Sequence, residues 1–285
     1  MKICVLGLGQ VGLPTAKYIA SKGVEVFGND IRQEAVERAR EQGVEASSDW
    51  QETPVSDVYI ICVHSGPREY AFPDFPSIFE VCKKINEKNE LVSQSETCLV
   101  SIESTVLPGL CRKVYEEIFR RRVRLVHVPH RLWVKDLVRH GVNQHRVIGA
   151  IDDESLTEGQ NFYTKILDIP LFKVSSIEIA EMSKITENTF RYIQIAFAEE
   201  LKMMCDKLGM DFDEVRNACN TKWNIEIPEA RDGIGGHCLP KDSRYFSSLT
   251  EIAVMTRSAM MVDDAYRKWI CREGAVSGSL RQRNS

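Results

Sequence analysis

Lys2-Ile3-Cys4-Val5-Leu6-Gly7-Leu8-Gly9-Gln10-Val11-Gly12-Leu13 decides the fold. Residues 2–6 form a short, unbroken apolar run, as expected of a strand buried on both faces. The run passes directly into a GxGxxG pattern, and helical spacing follows through Val11, Ala16, Ile19 and Ala20. A strand, a glycine turn and a helix in that order make a dinucleotide site. Gly7 permits the tight turn, Gly9 lets a pyrophosphate approach the backbone, and Gly12 lets the helix pack close to the strand. Gln10 and Val11 lie at the helix N-terminus, where free N–H groups and the positive end of the dipole face the phosphates.

Outward from that turn, Gly23 closes the helix and residues 24–28 (VEVFG) read as a second strand ending at Asp30. A carboxylate there accepts both hydroxyls of an adenosine ribose and repels a 2′-phosphate, so NAD is expected rather than NADP. Arg32 argues the other way, because an arginine can pair with a phosphate. Further strands are expected over residues 58–63, 99–102, 124–128, 146–148 and 171–174, with helical stretches between them. This alternation predicts an α/β fold, a Rossmann-type doubly wound parallel sheet with helices on both faces. After Ser175 the strand signals stop. Ile179, Met182, Ile185, Phe190, Ile193 and Phe197 recur at helical spacing and predict one long amphipathic helix, continuing to Leu208. Residues 254–275 read as another helix, with a frayed polar tail from Ser277. The expected organisation is a dinucleotide-binding domain over residues 1–175 and an all-helical domain over 176–285.

Composition narrows the function. Of the 285 residues, 43% are hydrophobic and 27% charged, which suits a globular protein, and the net charge of −4 offers no field for nucleic acid or an anionic membrane. The basic run Arg120-Arg121-Arg122-Val123-Arg124 reads as a solvated helix end. Nine cysteines without a CxxC pair argue against a disulfide framework or a structural zinc site and for a reducing compartment. With no signal peptide pattern and no spanning apolar stretch, a cytoplasmic protein without metal, membrane or nucleic-acid partner is expected.

The chemistry points elsewhere in the chain. Gly233-Ile234-Gly235-Gly236-His237-Cys238-Leu239-Pro240-Lys241-Asp242 packs three glycines into four residues and sets a cysteine just beyond them. A cysteine beside cationic or free N–H groups becomes a nucleophile. Any one cysteine of nine is by default a small buried apolar residue, but the glycines shift the reading to a reactive one. Lys184 and Asn188 lie one turn apart on the long helix, with Arg191 on the same stripe. By spacing alone they are a solvated polar face; amid apolar neighbours, such a pair can also polarise a substrate oxygen.

Together these motifs resemble the UDP-glucose/GDP-mannose dehydrogenase family, nucleotide-sugar 6-dehydrogenases that oxidise a primary alcohol to a carboxylate in two NAD-dependent steps through a cysteine thioester. The motifs that carry the resemblance are the glycine turn with Asp30, Glu103-Ser104-Thr105-Val106-Leu107-Pro108-Gly109, Glu181-Met182-Ser183-Lys184 with Glu187-Asn188, and the glycine–cysteine segment, whose Gly-Gly-His-Cys form resembles the N-acetylhexosamine branch. The resemblance runs from Met1 to about Ala265. It implies that Cys238 is the nucleophile, that Lys184 and Asn188 hold the developing oxyanion, that Asp242 serves the water or proton network, and that Thr105 positions water and cofactor. It adds Val63, Ser65 and Ser104 to the cofactor-binding residues, and it brings Arg191, Gly235 and Gly236 to the substrate together with Lys184 and Asn188.

Three departures accompany it. His130, in Val128-Pro129-His130-Arg131, stands where the family has a glutamate that activates water. His64-Ser65-Gly66 replaces the usual Pro-Thr-Pro. The family's third domain, a second doubly wound sheet, has no counterpart here, which implies a short member. The expected function is oxidation of a primary alcohol on a nucleotide-sugar-like or phosphorylated small molecule, by a homodimer joined through the helical domain with residues 254–275 in the shared surface. In place of the family glutamate, His130 would serve as the base. The alternatives are a two-electron hydroxyacid-type dehydrogenase and a non-catalytic NAD-binding relative. Because a 2′-phosphate would face Asp30, titration should show NAD binding more tightly than NADP; equal or tighter NADP binding would overturn the cofactor assignment.

Overall fold

The computed structural model describes residues 1–66, 75–91, 97–133 and 135–283. The chain divides into two compact units, Met1–Lys184 and Ile185–Ser285.

The first unit is built on eight strands: β1 (Lys2–Leu6), β2 (Glu25–Asn29), β3 (Glu45–Ser47), β4 (Val58–Ile61), β5 (Leu99–Ile102), β6 (Arg124–His127), β7 (Arg146–Ala150) and β8 (Leu171–Lys173). They lie in the order β3-β2-β1-β4-β5-β6-β7-β8. Strands β1, β4, β5 and β6 are almost wholly buried, which explains why their sequences are mostly apolar, with Ser101 in β5 and Arg124 and His127 at the ends of β6 among the polar exceptions. Helices α1 (Gly12–Ser21), α2 (Gln33–Glu41), α3 (Pro76–Leu91), α4 (Leu110–Glu117) and α5 (Asp153–Gln160) connect them, and a π-helical turn over Asn161–Ile166 follows α5. The order reverses between β1 and β4, and that switch point is where an open α/β sheet leaves a crevice for its ligand.

Two features depart from the sequence expectation. β3 is only three residues long, too short to show a period. β6 and β7 pair antiparallel, whereas the other neighbours are parallel. No helix is described between β6 and β7, which removes the usual crossover of a parallel pair. The basic run is a turn after α4: Arg120 and Arg121 have φ of +49° and +63°. Arg121, Arg122 and Arg124 pair with Glu116, Glu90 and Glu154.

Helix α6 (Ile177–Leu208) begins in the first unit and continues as the spine of the second. Gly209, at φ +67°, supplies the left-handed residue that ends it. Three more helices follow: α7 (Phe212–Asn220), α8 (Cys238–Ser248) and α9 (Val254–Arg283). The sequence reading places neither α7 nor α8, although Phe212, Val215 and Cys219 of α7 recur at helical spacing. α9 runs on past Ser277, where fraying was expected; Leu280, Arg281 and Gln282 are good helix formers. The core of this unit joins Tyr192 and Ala196 of α6 to Ile234 and to Ala259 of α9. Phe190 and Phe197 belong to the apolar stripe of α6, yet they are 62% and 54% exposed. Alanines occupy the packed face instead, so the aromatic face is uncovered within one chain. No helix among the described residues is long and apolar enough to cross a membrane.

Candidate active site

The glycine turn sits at the switch point of the sheet for steric reasons. Gly7 has φ +92°, and a Cβ on it would lie 2.6 Å from the Cys62 carbonyl oxygen, at the end of β4. A Cβ on Gly12 would lie 1.7 Å from the Gly7 carbonyl oxygen. Gly9 differs: only the Arg32 guanidinium comes within 4 Å of such a Cβ, at 3.9 Å, so its α-carbon faces open space. That opening is the cradle a pyrophosphate needs, and these residues fit the cofactor. Asp30 is buried; its Oδ2 accepts from the Leu8 N–H at 2.7 Å and its Oδ1 from the Arg32 N–H at 2.9 Å. Arg32 also approaches Asp30 through Nε at 3.4 Å, so the cation that argued for a 2′-phosphate is already partnered.

The other residues expected at the cofactor lie along the ends of β4 and β5. Ser104 is buried, and its hydroxyl donates to the Val63 carbonyl at 2.7 Å, tying the two strand ends together. Ser65 is buried, Val63 and Thr105 are half-buried, and Gln10 is exposed. Glu181 accepts from the backbone N–H groups of Gly109 (2.6 Å) and Cys111 (2.8 Å), capping α4 from α6. Two family motifs far apart in sequence are thereby joined. Lys184, one turn beyond, is half-buried, and its charge reaches His127 and His130.

His130 is buried in a polar cluster that sequence reasoning missed. Its Nε2 meets Glu103 and lies 3.1 Å from the Thr15 hydroxyl of α1. Glu103 also accepts from Arg146 Nη1 at 3.1 Å and from the Tyr163 hydroxyl, which in turn lies 2.7 Å from Ser101 Oγ. Burial alone would raise the Glu103 carboxyl, but His130, Arg146 and the Tyr163 hydrogen bond hold it down to about 2. Burial and the Arg146 charge push His130 down to about 4, against the pull of Glu103. At neutral pH the arginine therefore carries the positive charge and the histidine is a neutral donor. Cys62, Glu103 and His130 offer ligand atoms within 4.8 Å of one another, a metal-like grouping. Arg146 already neutralises that carboxylate, so the cluster needs no cation. An arginine inside the apolar strand Arg-Val-Ile-Gly-Ala was the available signal, since a buried guanidinium requires a buried acid.

In the second unit, Asn188 Nδ2 donates to the buried Asp242, whose other oxygen pairs with Lys241. The Lys241 ammonium lies 4.6 Å from the Tyr245 ring centroid. Cys238 is the first residue of α8 and is exposed, as are Gly235, Gly236 and His237 before it. Gly236 has φ +82°, and a Cβ added at Gly235 or Gly236 would meet nothing within 4 Å. Arg191 is exposed and reaches only Gln194, at 3.4 Å. The structure thus joins Asn188 to Asp242 beside an open glycine–cysteine turn.

Comparison with known proteins agrees with this picture. Residues 1–46 and 33–167 match the NAD binding domain of the UDP-glucose/GDP-mannose dehydrogenase family, and residues 178–265 match its central domain. The chain belongs to the UDP-glucose/GDP-mannose dehydrogenase family, and NAD is the cofactor of the domain so matched. It is 28% identical to a UDP-N-acetyl-D-mannosamine dehydrogenase of Methanococcus vannielii, over 95% of this chain and 66% of that one. It is 30% identical to an NDP-N-acetyl-D-galactosaminuronic acid dehydrogenase of Ralstonia solanacearum, over 92% and 68%. The solved structure of a UDP-D-ManNAc dehydrogenase from Pyrococcus horikoshii superimposes with a TM-score of 0.86 at 27% identity, covering 100% of this chain and 72% of that one. The chain spans about two thirds of the length of the curated relatives it matches.

The buried histidines set an acid limit on the first unit. His127, like His130, is pushed down by burial to about 4 from 6.5, so the unfolded chain takes up protons first as pH falls. Stability should decline between pH 6.5 and 4, by on the order of 2–3 kcal/mol per histidine at most. Urea midpoints measured from pH 7.5 to 4.5 should fall less steeply in His130→Gln; parallel curves would show that His130 already titrates normally in the native state.

Proposed function

We propose that the chain oxidises a primary alcohol on a nucleotide-linked sugar, of the N-acetylhexosamine class, first to the aldehyde and then to the carboxylate through a thioester on Cys238. The observation that carries this reading is the exposed Cys238, set at the start of a helix behind an open glycine turn and next to the Asn188–Asp242–Lys241 chain. The names of the relatives support the substrate class. The division into a cofactor domain (residues 1–175) and a helical domain carrying the thiol (176–285) belongs to the same proposal.

Bound NAD supplies the hydride acceptor, one molecule for each of the two oxidations. The first oxidation removes a hydride and a proton from the alcohol. The Cys238 sulfur then adds to the aldehyde carbon, and the thiol proton passes to the oxygen. Loss of a hydride and a proton from this thiohemiacetal leaves the thioester. Water adds at the acyl carbon, the C–S bond breaks, and the carboxylate departs as the thiol regains its proton. Lys184 and Asn188 stabilise negative charge on the reacting oxygen. Asp242 orients Asn188 and serves the proton network, and Thr105 positions water and cofactor. Gly235 and Gly236 let the sugar approach the backbone, with Arg191 binding substrate. His130, buried and held by Glu103, is assigned to shaping the cofactor side rather than to taking a proton from water.

The uncovered face of α6 supports a homodimer. Phe190, Phe197, Met204 and Leu208 are all more than half exposed and recur at helical spacing, and Val254, Met255 and Met261 of α9 are exposed as well. A second copy would cover them through an isologous contact.

Two measurements test these assignments. Cys238→Ser should bind NAD normally and form no acid, while Lys184→Ala should lower turnover about 10²-fold, the scale for losing one oxyanion donor; acid production by the serine variant at the wild-type rate would sink the thioester route. In light scattering after size exclusion, the parent chain should have the mass of a dimer and Phe197→Glu that of a monomer with unchanged helicity; a monomeric parent would remove the dimer.

A further inference from the structure

The glycine–cysteine turn is held from behind by a buried acid that the reaction does not consume. Asp263 of α9 is buried, and its Oδ1 accepts the Ile234 N–H at 2.8 Å. Arg267, one turn further on, donates from Nε to both Asp263 oxygens at 3.1 Å, and the Tyr192 hydroxyl of α6 donates to Oδ2 at 3.1 Å. The hydrogen-bond partners of Asp263 are all donors: a backbone N–H, a guanidinium and a phenol. Arg267 also lies against the turn itself: Gly233 has φ +89°, and a Cβ there would meet the guanidinium carbon at 2.8 Å. Two successive residues of the turn, Gly233 and Ile234, are thus clamped by one ion pair, and the open stretch that ends in Cys238 starts from that clamp.

A second acid faces the clamp. Glu199 of α6 is fully buried, and neither of its oxygens has a hydrogen-bond partner. It faces Asp263 and Arg267 of α9. Tyr192 on its own helix and Tyr266 of α9 lie within its field, with Asp264 and Asp232 beside those two tyrosines. An unpartnered buried carboxylate is costly, and Arg267, the cation that acts on it among the described residues, is committed to Asp263.

We propose that Asp263 is the positioning residue of the glycine–cysteine turn, and that the ionisation of Glu199 sets how firmly Asp263 holds it. The proposal rests on the reading that Cys238 is the reactive thiol. While Glu199 is neutral, Arg267 stays on Asp263 and the turn is fixed. Once Glu199 is charged, it competes for Arg267 and repels Asp263, and the clamp loosens. Burial, reinforced by the Asp263 charge, pushes the Glu199 carboxyl up to about 7, against the pull of Arg267, so the competition switches on near neutral pH. Positioning of the thiol should weaken as pH rises through that range.

Hydrogen exchange at the Ile234 amide reads the clamp directly and needs no turnover. In the wild type, protection of Ile234, corrected for intrinsic exchange, should fall at least 10-fold between pH 6 and 8. Glu199→Gln should hold the protection constant, and Asp263→Ala should abolish it with the helices intact. Arg267→Lys, which keeps the charge but not the paired contact, should be intermediate. A Glu199→Gln profile that tracks the wild type would overturn the part given to Glu199, and this comparison stands even if Asp263→Ala does not fold. Unchanged Ile234 protection in a folded Asp263→Ala would overturn the proposal as a whole. Failure of the thioester route is separate: it would show as acid formation by Cys238→Ser while Ile234 exchange still followed Asp263.

Discussion

Glu103 leaves the end of β5 with its carboxylate wholly out of water, and the first unit is organised around satisfying it. Arg146 reaches it from the start of β7, His130 from the loop after β6, and Tyr163 from the π-helical turn. Taking a carboxylate and a guanidinium out of water costs several kcal/mol per ion, which is repaid only where the remaining lone pairs and protons also find partners. The Glu103 carboxylate finds three such partners, although the buried Nδ1 of His130 is left without one, and the cluster draws strand ends together, with Thr15 of α1 joined to it through His130. The dinucleotide-binding helix is therefore fixed from below by charge as well as by the contact of Gly12 with Gly7.

The parts of this protein legible in the sequence are those whose physics is local. Gly12 can be read because a Cβ on it would strike the backbone of Gly7 within the same turn, and β1 and β4 because burial on both faces leaves an apolar run. The antiparallel β6–β7 pair and the three-residue β3 depend on tertiary pairing and leave no such trace. The expected NAD-binding fold and the family resemblance agree with the matched domains. The partnership of Asn188 with Asp242 could be guessed only through the resemblance, because the two are far apart in sequence. His130 shows the limit of that method: its place in a motif suggested a base at the chemistry, while its surroundings make it a neutral donor to Glu103.

The second unit uses acids differently. Asp263 and Glu199 lie within apolar helical stretches, Met-Met-Val-Asp-Asp-Ala and Ala-Phe-Ala-Glu-Glu-Leu, where a charge is expensive. Asp263 accepts from three donor groups, whereas neither Glu199 oxygen has a hydrogen-bond partner, so two buried acids of one unit have opposite surroundings. An asymmetry of this kind lets a turn built from glycines, which has no stiffness of its own, keep a defined shape.

The π-helical turn over Asn161–Ile166 places the remaining partner of Glu103. Its wider winding, closed by the Leu167 N–H to the Phe162 carbonyl at 3.2 Å, carries more residues per turn than an α-helix. Loss of one residue there would return the turn to α-helical winding and remove the extra residue that its wider turn carries. Tyr163 would swing away from Glu103 and Ser101, stranding a buried carboxylate. This short stretch is therefore a place where chain length, rather than residue identity, is under constraint: a conservative substitution can be absorbed, but a one-codon deletion cannot.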